Sequence, residues 1–317
     1  MCLKYRYRIR NWSEYNRALI QRGSISVWFT EDAISKWLEQ EHPRKKGRRK
    51  TFSDDAILCV LILRAVYHLP LRALQGFLEW LFQTMGLALP VPSYTQICRR
   101  AASLEKKLKR LTSKQPTDIV FDSTGVKVYG EGEWKVRQHG KGKRRTWRKI
   151  HLAVCPHSHE IVLGELTKSS AADGKVAKEM VKDLPKRTKK AYGDGAYDQG
   201  PFYETLYDAG IAPNIPPRRG GRIHDVEKKP WIRARNDAIR EIVGLGGGDE
   251  GRKLWKILTG YHTRSLGETC MYRFKQAFSG TFRSRDISRQ KSELYAKCIA
   301  LNKMTKLGMP KGRWVKA

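Results

Sequence analysis

Apolar residues return every three or four positions through Ala56–Tyr67, Leu71–Met85 and Tyr94–Leu111, which predicts three helices. Ser53-Asp54-Asp55 offers the first an N-cap and an acidic first turn, His68-Leu69-Pro70 separates it from the second, and Ser93 can cap the third. Past the polar stretch 112–117 the period shortens to two. Asp118–Tyr129, Arg145–Val154 and Glu160–Leu166 alternate and are rich in β-branched residues, which predicts a three-strand meander turning at CPHSH. A helix over Ala171–Leu184, capped by Asp173 or Ser170, a strand Lys189–Gly193, a helix near Pro201–Asp208 and a strand Ala212–Pro216 complete a β-β-β-α-β-α-β order. Residues 217–258 are rich in Arg, Lys and Gly and read as a partly helical insertion with a helix at Trp231–Val243. Helices are expected at Tyr261–Lys275 and Ile287–Lys303. The pattern predicts an α/β protein: an all-helical N-terminal domain, 1–115, then a mixed five-stranded sheet flanked by helices, 116–317.

Charge changes this picture. Sixty-three Lys plus Arg against 31 Asp plus Glu leave a net charge of +32, far more than solubility needs, so a polyanionic partner is expected and nucleic acid leads. The longest apolar run, Ala56–Val66, is interrupted by Arg64 and too short to span a bilayer, and the first residues lack the apolar core of a signal peptide. The expectation is a cytoplasmic, nucleoid-associated protein without a membrane partner. Six dispersed cysteines without a C-x-x-C pair read as reduced core thiols, and Cys155-Pro-His157-Ser-His159 as a polar turn.

The basic residues are not spread evenly. The third helix carries Arg99 and Arg100, so the helical domain resembles a helix-turn-helix unit, although plain three-helix packing has the same pattern. Between the first two strands, Glu133–Lys149 holds Lys141, Lys143, Arg144, Arg145 and Arg148 with Trp134 and Trp147, cations and indoles suited to nucleic acid or to a solvated loop. The basic run Arg44–Lys50 can likewise track a phosphate backbone or sit in solvent.

Three carboxylates stand out against this background. Asp122 interrupts the apolar run IVFDSTGVKV, where Asp is disfavoured unless it caps a strand end through Ser123 or Thr124. Asp194 ends a short strand between Gly193 and Gly195, a setting that admits a close ligand and also describes an ordinary turn. In a helical Tyr261–Lys275, about 100° per residue puts Tyr261, Arg264, Glu268 and Lys275 on a stripe roughly 60° wide, opposite Leu266, Cys270, Phe274 and Ala277. Ser265-Leu266-Gly267-Glu268 is equally an S-x-x-E capping box, which explains Glu268 without chemistry. Taken together, carboxylates from two strand ends and a helix suit a pair of hard divalent cations.

At this point NWSEYNRALIQRGSISVW, SDDAI, LPLRALQGFLEWL, VPSYTQICRR, FDSTGVKV, GDGAYD and YHTRSLGETCMYRFK follow one another in an order that resembles a DDE transposase of the bacterial insertion-sequence-five family. The resemblance covers nearly the whole chain, and the Tyr-x2-Arg-x3-Glu-x6-Lys signature is complete. It implies a ribonuclease-H-like catalytic fold, two Mg²⁺ ions (Mn²⁺ as substitute) held by Asp122, Asp194 and Glu268, and Tyr261, Arg264 and Lys275 on DNA. Implied partners are double-stranded DNA, both terminal inverted repeats and target, and further copies of the chain in a homodimer or larger assembly. A nuclease of the same fold and a basic DNA-binding repressor are the rival readings.

Overall fold

A computed structural model describes residues 5–39, 51–104, 111–112, 115–128 and 147–316. The chain opens with strand β1 (Tyr5–Ile9) and helices α1 (Trp12–Gln21), α2 (Ile25–Trp28), α3 (Glu31–Ser35), α4 (Asp54–Val66), α5 (Leu71–Thr84) and α6 (Tyr94–Leu104). Strands β2 (Asp118–Val128), β3 (Trp147–Val154) and β4 (Ile161–Lys168) follow, then α7 (Asp173–Val181), β5 (Lys190–Tyr192), α8 (Gly200–Asp208) and β6 (Ala212–Asn214). Helices α9 (Arg233–Gly244), α10 (Gly248–Leu258) and α11 (Ser265–Phe278), strand β7 (Thr281–Phe282), helix α12 (Ile287–Leu307) and strand β8 (Gly312–Lys316) complete it.

Two compact units emerge, Met1–Leu104 with Ile299–Ala317, and Glu105–Cys298. The sequence suggested a single boundary near 115 and a second domain running to 317; instead the last residues group with the first unit. The reason is a terminal ribbon: β1 pairs with β8 antiparallel, from Tyr5 opposite Lys316 to Ile9 opposite Gly312. This unit is therefore not all helical.

Its core forms around α4, where Ala56, Ile57, Val60 and Leu63 are fully buried. Ser53 caps α4 as expected, its hydroxyl accepting from the Ala56 amide at 2.9 Å. Trp37, Phe29 and Phe82 pack ring on ring, with centroids 5.1–5.7 Å apart. Helix α6 covers Tyr94–Leu104, and residues 105–110 of the expected helix lie outside the described residues. Arg100 is committed inward, donating to the Phe52 carbonyl and paired with Asp54 at the start of α4. No single helix among the described residues is long and apolar enough to cross a membrane.

The second unit is built on a mixed sheet of order β4-β3-β2-β5-β6. The meander β2-β3-β4 is antiparallel, as its alternation predicted, and β5 and β6 run parallel to β2. A sixth strand, β7, pairs parallel with the far end of β2, so the expected five strands become six. β7 spans two residues, too short for any period to announce it. Pro213 sits in β6, an edge strand, where its missing N–H costs no ladder bond.

Helices cover both faces. Ile119 and Phe121 point to α7 and α8 in a core with Ala177, Met180, Phe202 and Leu206. The opposite face of β2 is covered by α11. Helix α7 begins after Ala172, which makes no side-chain cap; Ser170 and Asp173, the expected caps, do not cap it, and Asp173 instead binds Lys149 at 2.7 Å. The insertion is helical at α9 and α10. Its anchor is a nearly buried pair, Arg235 with Asp198 at 2.7 Å, in which Asp198 also accepts from the Arg218 amide at 2.7 Å.

That anchor yields a test. Asp198→Ala would leave the Arg235 guanidinium buried without its partner, so the unfolding free energy should fall by about 3–5 kcal/mol in urea denaturation. A loss below about 1 kcal/mol would mean that apolar contacts alone hold the insertion.

Candidate catalytic site

Two neighbouring parallel strands bring the first two acids level. The register that sets Asp118 beside Lys190 and Val120 beside Tyr192 carries Asp122 to the height of Asp194 two residues later, on the same face of the sheet. Asp194 keeps an extended backbone (φ −79°, ψ −179°) although the ladder has ended. Between the end of β5 and the start of β7, the edge of β2 has no strand partner among the described residues. Such gaps at the carboxyl ends of parallel strands are where open α/β sheets bind ligands.

The third acid arrives on α11, which lies on β2 because residue 267 is glycine. A Cβ there would come within 2.8 Å of Val120 Cγ1 and 3.2 Å of Asp122 Cβ. Glu268 follows immediately. The buried face of α11 is Gly267, Cys270, Met271, Phe274 and Phe278, rotated from the expected one: Leu266 and Ala277 are only half-buried.

Tyr261–Arg264 form a 3-10 turn leading into α11, so Ser265 is already inside helical backbone and the capping box does not form. The Ser265 hydroxyl donates instead to the His262 carbonyl at 2.8 Å. Tyr261 is 9% exposed and packs on Trp255, ring centroids 6.3 Å apart, within the small core of the insertion. The Arg264 guanidinium lies 5.9 Å from the Tyr261 ring and is paired with Glu268. Trp255, Tyr261, Arg264 and Glu268 thus form one chain of contacts from the insertion to the acid. Lys275 is exposed two turns further along, about 10 Å from Glu268 by helical rise.

The charges of Asp194 and Glu268 act on Asp122. Burial pushes the Asp122 carboxyl up to about 6; the Ser123 amide and Arg264 pull it down, and the charges of Asp194 and Glu268 push it up again. Ser123 donates its amide to Asp122 Oδ1 at 2.9 Å, the local bond that the strand-end reading anticipated. Asp194 Oδ1 accepts from the Ala196 amide at 2.8 Å. Behind them lies a polar layer absent from the sequence reading: His151, opposite Ser123 in the β2–β3 register, bonds Thr167 at 2.9 Å and lies 3.4 Å from Asp173. Burial lowers the His151 imidazole to about 4, so it is neutral at physiological pH.

Of the other residues singled out from the sequence, Arg99 is exposed in the first unit and Arg100 is held by Asp54. The Trp147 indole lies over Gly125 with Lys127 at 5.7 Å, and Arg148 donates to Gln290 at 3.0 Å. Trp134, Lys141, Lys143, Arg144, Arg145 and the run Arg44–Lys50 lie outside the described residues. Gly267 was missed; its only signal was its place inside the motif of Glu268.

Two outcomes follow from this geometry. Between pH ~4 and ~6 the folded state holds a proton on Asp122 that the unfolded chain has lost, so wild-type stability falls as pH rises through this window. Asp122→Asn should therefore be more stable than wild type at pH 7.5 in EDTA, by on the order of 2 kcal/mol after allowance for partial solvent access, with the gain gone below pH 4. A gain that does not change with pH would refute the burial penalty. Gly267→Ala gains up to about 1 kcal/mol of helix propensity but overpacks Val120 at a cost of about 1–3 kcal/mol. A lowered urea midpoint is expected, and an unchanged one would show slack between α11 and β2.

Comparison with known proteins identifies the family of the chain. Two family models, each described as a transposase DDE domain, match residues 20–131 and 113–303. The solved piggyBac transposase synaptic complex with hairpin DNA is a distant likeness, with TM-score 0.40 and 12% identity over 95% of this chain and 78% of that one. The Drosophila P element transposase strand transfer complex is more distant still, with TM-score 0.28 and 10% identity over 83% and 82%. The second family model alone spans more than half of the 317 residues, and the chain belongs to the transposase DDE domain family.

Proposed function

We propose that this DDE transposase hydrolyses a phosphodiester at each end of its own element and uses the freed 3′-hydroxyl to attack target DNA, with Asp122, Asp194 and Glu268 as the reacting carboxylates. The observation that carries the reading is the shared register of Asp122 and Asp194, with Gly267 laying the helix of Glu268 across the same strand. The strand order, an antiparallel meander followed by two parallel strands, supports a ribonuclease-H-like catalytic domain. The ordered motifs of the sequence support membership of the bacterial insertion-sequence-five group.

The donor set fits hard divalent cations, Mg²⁺ with Mn²⁺ as a substitute, since all three groups are carboxylates and Asp122 carries a burial penalty that a cation would relieve. Among the described residues no three acid, His or Cys side chains converge on one point as they stand, because Glu268 is turned onto Arg264. Completing the set requires Glu268 to leave that pair. When bound, two such ions supply activation of the attacking oxygen and stabilisation of the leaving one. The protein's own residues do the rest. The Ser123 and Ala196 amides hold Asp122 and Asp194 in place, and Glu268 positions or deprotonates the nucleophile. Arg264, released from Glu268 and backed by Tyr261, would meet a DNA phosphate, and Lys275 another. Both ends must be held together, so a homodimer or larger assembly on DNA is expected.

The test is direct. With DNA bearing the terminal inverted repeats and Mg²⁺, the wild type should cut at the repeat and join the 3′ end to target, while Asp122→Ala and Glu268→Gln should each lower cleavage by about 100- to 10,000-fold. Undiminished cleavage by both variants would remove the mechanism. Cutting without joining would leave a nuclease.

A further inference from the structure

A cleft of about 440 Å³ opens where the chain passes from β6 into the insertion, between the turn at residues 217–221 and the start of α10. That volume lies in the ordinary range for a small-ligand pocket. Its floor is apolar: Ile242 is buried, Ile239 half-buried and Val243 65% exposed. Its lining holds three arginines, Arg218, Arg219 and Arg252, against one carboxylate, Asp249. Gly247 and Gly248 line it at φ +65° and +53°, and a Cβ at either would meet nothing within 4 Å, so that wall stays clear of side chains.

The three arginines are held differently. Arg252 is half-buried and ties α10 to the turn by donating to the Pro217 carbonyl. Arg218 reaches toward the catalytic side: its amide donates to Asp198 at 2.7 Å, and its Nε donates to the carbonyl of Gly195, the residue after Asp194, at 3.5 Å. Arg219 is paired with Asp249 at 2.8 Å, and the two side chains are 81% and 73% exposed. An ion pair that exposed contributes little, whereas a guanidinium binds phosphate through two parallel charged hydrogen bonds. A phosphate can therefore take Arg219 from Asp249 at small cost.

We propose that this cleft holds one nucleotide of the DNA strand that runs past Asp194, its phosphate on Arg219 beside Arg252 and its sugar and base against Ile239 and Val243. The proposal rests on the reading of DNA as the substrate. Position supports it, since Arg218 joins the wall of the cleft to the turn that carries Asp194. Chemistry supports it as well: a bare anion needs no apolar floor and an apolar ligand needs no arginines, but a nucleotide uses both. A free mononucleotide shares that chemistry, and the test separates the two sources.

Binding of a labelled end-bearing duplex is read by fluorescence anisotropy in EDTA, so that neither cations nor cleavage enter. Arg219→Gln should weaken binding about tenfold and lower the slope of log Kd against log salt by about 1. Asp249→Asn, which frees Arg219, should tighten binding. Arg240→Gln removes the same charge from an exposed pair with Asp237 outside the cleft, and should stay close to wild type. Neutral methylphosphonates are then placed at successive backbone positions. At one position the wild type should lose about tenfold and Arg219→Gln nothing further, because both changes break the same contact. Equal losses in Arg219→Gln and Arg240→Gln, or methylphosphonate effects that the variant leaves unchanged, would overturn the proposal. So would calorimetric binding of thymidine monophosphate that Arg219→Gln abolishes while duplex binding is untouched, which would assign the cleft to a free nucleotide. Failure of the underlying reading looks different: the wild type itself would then not retain the duplex, even at low salt.

Discussion

The parallel register between β2 and β5 is the constraint from which the site follows. Because the two strands run the same way with a fixed offset, an acid two residues past the last pair on one is level with an acid two residues past the last pair on the other. A slip of one residue would send Asp194 to the opposite face. The register is held from below by an apolar layer: Ile119 and Ala191 are fully buried, with Phe121, Phe202 and Leu206 packed around them. Core packing and site geometry are thus one interaction read at two heights of the sheet.

Above that layer, close approach takes over from hydrophobic burial. Gly267 lets α11 touch β2, and Gly193 lets the Tyr197 ring lie beneath the strand end. Both glycines are needed for what a side chain would displace rather than for backbone freedom. The insertion reaches the same place by another route, since Asp198 ties α9 to the loop after Asp194 through Arg235, and Trp255 and Tyr261 back the arginine that holds Glu268. Asp122 and the loop after Asp194 are thus each braced from outside their own element, while Glu268 is held, exposed, by Arg264.

Much of this was legible in the sequence. Period-two alternation located β2, β3 and β4, and period-3.6 stripes located α4, α5 and α8, because these elements bury one face against a large core. Asp122, Asp194 and Glu268 stood out because each breaks a local preference or completes a motif. What stayed hidden depends on partners distant in sequence. β1 and β8 are short, and each becomes a strand only by meeting the other from the opposite end of the chain. The pairing of Arg100 with Asp54 turned a residue expected on DNA into a brace between helices. The S-x-x-E pattern misled because a capping box needs a non-helical residue before it, and the 3-10 turn Tyr261–Arg264 supplies helical backbone there instead.

An acid cluster within a chain of charge +32 is an electrostatic problem with one consistent solution. Two unit charges about 5 Å apart at an effective dielectric of about 20 repel by roughly 3 kcal/mol, so three ionised carboxylates facing a phosphate could not stand unassisted. In the free protein the strain is met within the site: Asp122 takes up a proton more readily than a solvated carboxyl, and Glu268 is neutralised by Arg264. Neither arrangement suits the phosphodiester of the proposed function, for which Glu268 would be free and Arg264 turned outward. On the proposed function, the Arg264–Glu268 pair is the contact that DNA and cations together would replace, with the guanidinium meeting phosphate as the carboxylate meets metal. An arginine is suited to that exchange, since it stays charged in either partnership and its planar fork fits carboxylate and phosphate alike.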